Sequence, residues 1–531
     1  MKASRILTYI PIIILIICGY LFATYDIWND DIVPVAYVYH AGNFPSIKHV
    51  LIELFTPHND HILFVVKLLF GLNYLLLGSI NLKWISYLSI IGFIATYLFI
   101  LKTIKLSNSQ KLILSFGMLI PIFYDLFYWA LSIQNILVNL FVFLCWHSLL
   151  NKQYTRSNIF YIAAIFSSSQ AMVLLPIGIA YGIIKKTNIR VILFPILITV
   201  GIKWFASKYL NENPIYASSI LENISFEKLK EAFLVLCPPF NFHFTFFQIL
   251  LSSALVCIFC LIGFDYFKKI KNQINSARED FLVGLMVYSL GCFVASLFLR
   301  QVSEIRYLAY SCTFVPFALI YLTDLYPNVK LSKALAWISI LNYAILLFAL
   351  VEILPDIYLD KIVRTDNITR NHSANFFPTD LIRKQSEKLF RKTDFNEKPL
   401  FLIPNGINGS VPEHLYIFNE FIGYGRKTIQ LPDTKTNPLT FVETNVTPKG
   451  QIENKPSGQI NELINISIPK KGLGHYFLIR ISTPTQYFDF PMSGNQYNHI
   501  DDNYSLIIYS NQLPYGKFDV KLIELGLQYS L

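Results

Sequence analysis

The chain is 531 residues long, 54% hydrophobic and only 15% charged, with a formal net charge of +10 and a mean hydropathy of +0.46. A soluble chain of this length carries roughly a quarter charged residues, so the composition excludes an ordinary soluble enzyme. The basic residues of the first two-thirds sit mainly in short connections between apolar runs, which reads as a topology signal and not as a nucleic-acid surface.

In chain order, the first uncharged run is Ile6 to Tyr25. It is longer than a signal-peptide core and has no clear small-x-small cleavage site, so it is expected to stay as a helix. A loop follows to residue 60, carrying Asp26, Asp30, Asp31, Glu53 and Asp60 with His40, His49 and His58, and His61 at its edge. The segment 61–80 is apolar but interrupted by Lys67 and Asn73. Further apolar runs lie at 84–101, 111–129, 131–150, 158–170, 171–184, 190–207, 244–266, 281–299, 307–326 and 332–351. Between them sit Lys102/Lys105/Lys111, Lys152/Arg156, Lys185/Lys186/Arg190, Lys268/Lys269/Lys271/Arg278 and Lys330/Lys333, with Lys2/Arg5 at the start.

These six clusters fall on one face only if 61–80 does not cross fully and is a re-entrant or juxtamembrane helix at the outer surface. An ordinary span there reverses every later loop. The positive-inside rule places the clusters in the cytoplasm, giving about eleven spans, a cytoplasmic N-terminus and an acidic first loop outside. The stretch 158–184 holds two short helices around a polar "SSSQ" break, tolerated at membrane depth only where it faces protein or a watery cavity. The spacing "CIFC" at 257–260 lies in a lipid-facing pattern with no further ligand nearby in sequence and reads as small apolar filler.

After Pro355 the chain turns polar. We expect a transmembrane domain over 1–352, a helical linker over 353–399 and an extracytoplasmic β-sandwich-like domain over 400–531. The last rests on alternating stretches such as "HYFLIRIS", "YSLIIYS" and "LPYGKFDVKLIEL".

On this topology the outer loops are 26–60, 208–243 and 300–306. Acids after the first span and arginines at a late outer turn form an informative pair. A carboxylate near the membrane surface can take a proton from an acceptor hydroxyl. Arginine matches a phosphate with forked, charge-assisted hydrogen bonds. Together they suit transfer of a group from a lipid phosphate.

A first outer loop with "NDDI" (Asp30, Asp31), many spans and a C-terminal outer domain resemble the polytopic GT-C glycosyltransferases. "PHNDHILF" (Pro57 to Phe64) and "RQVSEIRYLAY" (Arg300 to Tyr310) are similar to segments of bacterial members that decorate surface polysaccharide, such as O-antigen glucosyltransferases. The likeness covers most of residues 1–351.

The resemblance implies a polyprenyl-phosphate sugar donor, a glycan acceptor, the bacterial inner membrane, and a donor synthase and flippase as partners. It implies that Asp30 or Asp31 is the base and that Arg300 and Arg306 hold the donor phosphate, with Lys67 as a helper. Trp28, Tyr37, His58 and Asp60 are candidate sugar or acceptor contacts.

No cofactor is expected. The alternative for His58, Asp60 and His61 is a divalent metal, against a "PHNDH" turn in which Asn59 or Asp60 caps the next helix. Two other functions compete. A polymerase or ligase of lipid-linked oligosaccharides favours arginines in two large outer loops, and 208–243 has none. A flippase or transporter of lipid-linked sugar favours charged residues inside spans, and apart from Lys67, Asp125 and Lys203 the span interiors are almost free of charge.

Overall fold

The computed structural model describes residues 6–23, 34, 37–38, 46–56, 62–78, 80–120, 130–185, 194–202, 204, 245–299, 308–371, 439–455, 461–471, 474–485, 487–492, 503–510, 513 and 515–529. The described part begins with α1 (Ile10–Phe22), α2 (Ile47–Phe55), α3 (Phe64–Leu77), α4 (Leu82–Thr103) and α5 (Asn108–Met118). It continues with α6 (Ile133–Leu150), α7 (Tyr154–Ile165), α8 (Leu174–Ile184), α9 (Thr245–Lys271), α10 (Ala277–Leu299), α11 (Leu308–Leu325) and α12 (Val329–Asn371). The strands are β1 (Leu439–Asn454), β2 (Glu462–Pro469), β3 (His475–Ser482), β4 (Tyr487–Met492), β5 (Asn503–Tyr509) and β6 (Gly516–Tyr529).

Among the described residues, four helical segments are long and apolar enough to cross a membrane: Leu82–Thr103, Ala130–Leu150, Ile249–Lys271 and Val329–Phe348. The chain is therefore mostly helical, with membrane-like helices followed by a region of β-sheets. Of the disputed segment 61–80, only 14 residues form helix α3. At 1.5 Å per residue that is about 21 Å, short of the ~30 Å a single crossing needs. Helix α2 lies inside the stretch expected to be loop. Its nine residues, "IKHVLIELF", are too few and too charged to stand out as an apolar run.

The chain divides into two compact units, Met1–Tyr20 with His40–Gly71 and Ile85–Leu350, and Leu21–Tyr39 with Leu72–Trp84 and Val351–Leu531.

In the first unit, one end gathers ion pairs from helices far apart in sequence. Lys185 reaches Asp280 at 3.6 Å, Lys269 reaches Asp265 at 2.8 Å and Glu279 at 2.6 Å, and Arg278 reaches Asp324 at 2.8 Å. Arg278 also donates to the Lys105 carbonyl, and Gln110 Nε2 donates to Asp324 at 2.7 Å. His147, near the end of α6, stands edge-on to Phe99 at 5.4 Å and Phe281 at 6.2 Å. This end therefore joins the termini of α4, α5, α6, α8, α9, α10 and α11.

Asp280 is the centre of that end. It is 4% exposed, and its carboxylate accepts from Tyr266 Oη at 2.7 Å, Tyr181 Oη at 3.3 Å and Asn275 Nδ2. A buried carboxylate is tolerable only with such donors around it. Its backbone carbonyl takes the Trp146 indole N–H at 3.1 Å.

Trp146 in turn lies flat where Gly284 has no side chain, and a Cβ there would overlap the indole atoms Cε2, Cζ2 and Nε1. One heptad on, a Cβ at Gly291 would stand 2.6 Å from Val173 Cγ1. Small residues on one helix face let neighbours approach closely without help from a hydrophobic driving force. We expect Gly284→Ala to cost about 1–3 kcal/mol through overpacking. Thermal melting of the detergent-purified protein reads this, and an unchanged midpoint would refute the close packing of α10 on α6.

In the second unit, Gly78 ends α3 with φ +69°, and its N–H returns to the Tyr74 carbonyl at 2.8 Å. This is the left-handed helix stop that glycine takes without steric cost. Asn81 Oδ1 then accepts from Trp84 N at 3.1 Å and so caps α4, while Asn73 Oδ1 accepts from Asn81 N at 2.7 Å.

The expected linker is helical as far as Asn371, and its Leu359 and Val363 belong to the core of the β-region. The strands form an antiparallel sheet of order β1-β6-β3-β4 and a separate pair β2-β5. Phe477 of β3 and Tyr504 of β5 bring the two sheets together at 5.8 Å between ring centres. Pro448 in β1 and Pro491 in β4 both lie on edge strands, where a missing N–H is tolerated.

Arg480 binds Asp489 through two hydrogen bonds of 2.7 and 2.9 Å, pairs with Glu443 at 2.9 Å and stacks on Tyr487 at 4.3 Å. It thereby ties β1, β3 and β4 together, and the bond to Asp489 raises its pKa further. Lys471 and His475 hold the Glu524 carboxyl below its usual range.

Candidate functional site

Of the residues expected to act on substrate, Lys67 and Tyr37 are described. Trp28, Asp30, Asp31, His58, Asp60, His61, Arg300 and Arg306 lie outside the described residues, so the structure neither joins nor separates them. Tyr37 is 8% exposed, and burial pushes its hydroxyl above its ordinary pKa, so it stays protonated near neutral pH.

Lys67 occupies the first turn of α3 and is 3% exposed. Its Nζ donates to the carbonyl of Thr56 at 2.8 Å, just past the end of α2. A cation at the last carbonyls of a helix sits at the negative end of its dipole, which stabilises both the helix end and the charge.

The start of α3 is fixed from a second direction. Phe64 packs on Phe55 of α2 at 4.8 Å and on Phe166 at 5.3 Å, and Phe55 meets Phe166 at 5.7 Å. Val65 N donates to the carbonyl of Phe166 at 3.1 Å. The first amides of α3 and the last carbonyls of α7 lack partners within their own helices, and here each supplies the other's need. The three aromatic rings and this bond anchor the Lys67 helix to the polar break at 166–170.

The break itself is a helix end followed by a new start. Ser167 Oγ donates to Ala163 O at 2.8 Å, and Ser168 Oγ accepts from Gln170 N at 3.5 Å, opening a 3₁₀ turn Ser169–Val173 that runs into α8. Ser167 and Ser168 are both 0% exposed. Cys292 of α10 donates weakly to the Gln170 carbonyl at 3.7 Å.

Gln134, in the first turn of α6, was not foreseen from sequence. It is 7% exposed, and its Oε1 has no hydrogen-bond partner. One signal could have found it, a glutamine just inside an apolar run ("ALSIQNILVNLF").

A cavity of about 40 Å³ is lined by Cys145, Ser157, Tyr161, Leu174, Gly178 and Pro195. It has room for a few water molecules and none for a hexose. Among the described residues no group of three or more His, Cys, Asp and Glu is placed to hold a metal ion. Compared with family models, curated proteins and solved structures, the chain matches none of them.

Proposed function

We propose that the protein is a membrane glycosyltransferase of the GT-C type. It takes a hexose from a polyprenyl-phosphate donor and passes it to a hydroxyl of O-antigen or another surface glycan at the outer face of a bacterial inner membrane. The observation that carries the reading is a buried lysine on a short apolar helix that directly follows the acidic first loop. Lys67 is 3% exposed in a helix of 14 residues, and a cation held in apolar surroundings is costly unless it has a task or a partner. The Thr56 carbonyl holds the ammonium in place at 2.8 Å, and the reading brings the lipid phosphate to the same cation.

In this mechanism Asp30 or Asp31 deprotonates the acceptor hydroxyl, which attacks the anomeric carbon. The bond from that carbon to the phosphate oxygen breaks on the opposite side, so configuration inverts. The departing phosphate keeps the electron pair and is held by Arg300, Arg306 and Lys67. Fixed cations in a site shielded from water act where charge develops, without the reorganisation that water would require. Acceptor binding falls to the β-region, on its place in the chain. The full topology of about eleven spans, with the sheets outside, belongs to the same proposal.

The test is mass analysis of surface polysaccharide from cells lacking the protein, before and after complementation. The reading expects the wild type to add one hexose mass per acceptor unit. A change in glycan chain length without a change in repeat mass would favour the polymerase or ligase instead. Loss of the lipid-linked precursor from the outer leaflet would favour the flippase.

A further inference from the structure

Gln134 lies across from the polar break, and helix geometry shows why. Cys145 of α6 meets Ser157 of α7, with Sγ and Oγ 3.3 Å apart and Ser157 Oγ donating to the Cys145 carbonyl at 3.1 Å. The two helices are antiparallel neighbours joined by the short turn at 151–153. From Cys145 back to Gln134 is 11 residues, about three turns, so both side chains lie on the α7-facing side of α6, about 16 Å apart along the axis. The same rise along α7 from Ser157 runs past its last residue, Ile165, to the level of the break, and α6 also packs against the turn Ser169–Val173 that follows it. The buried, unpartnered Oε1 therefore belongs to the α7-facing side of α6, at the level where α7 is broken.

Two independent features meet here. A helix broken within the apolar body needs protein or a watery recess beside it. A buried amide oxygen with no donor is costly and persists in a native structure for a reason.

We propose that Gln134, with the break at Ser167–Gln170, reads a hydroxyl of the hexose carried by the lipid donor. An amide can both accept from and donate to a hydroxyl, and neighbouring hydroxyls on a hexose offer both roles. A phosphate oxygen only accepts, so it gives an orphan amide oxygen nothing. The sugar is the part of the donor that fits. Gln134 is thus a specificity-determining residue of the site proposed above, and the inference rests on that reading.

The test uses the purified full chain and measures binding of polyprenyl-phosphate glucose, galactose and mannose against bare polyprenyl phosphate, by ligand-induced thermal stabilisation. The wild type is expected to bind at least one sugar-bearing lipid more tightly than the bare lipid. Gln134→Leu is expected to lose about tenfold in affinity for that lipid, the worth of one neutral hydrogen bond to a buried group. It should keep its affinity for bare lipid and, unliganded, melt at the same temperature or higher, because the orphan acceptor is gone. Gln134→Asn, which keeps the amide but shortens its reach, should lose the same discrimination and guards against a folding defect in the leucine variant.

If both variants still prefer the sugar-bearing lipid as the wild type does, or if the wild type binds both kinds of lipid equally, Gln134 does not read the sugar while donor binding stands. If the wild type binds none of the four lipids, the donor reading fails, and this inference with it.

Discussion

Asp280→Ala is expected to destabilise the helical unit by about 2–4 kcal/mol, because it leaves buried hydroxyl and amide donors without their acceptor. The change deprives Tyr266, Tyr181 and Asn275 of their acceptor and leaves Lys185 without its carboxylate. Tyr266→Phe, which removes one donor and leaves the carboxylate served by the others, should cost about 1 kcal/mol. Thermal melting in one detergent gives both values. An alanine variant no less stable than the phenylalanine one would show that this end is held by packing alone. Because these contacts join α8, α9 and α10, the loss should appear as one cooperative shift and not as local fraying.

The second large effect concerns chemistry. One of Asp30→Asn and Asp31→Asn is expected to lower hexose transfer by about 10²–10⁴-fold, the contribution typical of a general base. The other should stay within a few-fold of wild type. Asparagine keeps the size and most hydrogen bonds of aspartate but cannot accept the acceptor's proton, so protein abundance in the membrane should not change. Equal, full activity of both variants would reduce the pair to a solvated helix exit.

How much of this was legible in the sequence differs from part to part. Long apolar runs such as 84–101 and 131–150 return as helices Leu82–Thr103 and Ile133–Leu150, because hydropathy over about 20 residues is a strong signal. The "SSSQ" break also returns, as a helix end at Ile165 and a new turn at Ser169. Strands "HYFLIRIS" and "YSLIIYS" return almost residue for residue, while β1 was missed. Its sequence, "LTFVETNVTPKGQIEN", is polar and carries two register shifts, so it lacks the alternation that marks a strand.

Helix α2 was missed for the same kind of reason, since nine mixed residues make no periodic case. The polar lattice around Asp280 was invisible because its members are spread from Gln110 to Asp324 and meet only in three dimensions. Lys67 drew notice as a charge in an apolar run, but its Thr56 partner depends on the unforeseen α2. The orphan state of Gln134 depends on what its neighbours fail to offer, and no sequence pattern encodes that.

The central claim is the transfer itself. The most direct measurement reconstitutes the purified protein in lipid nanodiscs with a polyprenyl-phosphate hexose and an acceptor glycan, and determines the mass and anomeric configuration of the product. The account predicts an acceptor heavier by one hexose, with the anomeric centre inverted relative to the donor. A donor that stays intact beside its acceptor, or a product that keeps the donor's configuration, would contradict it.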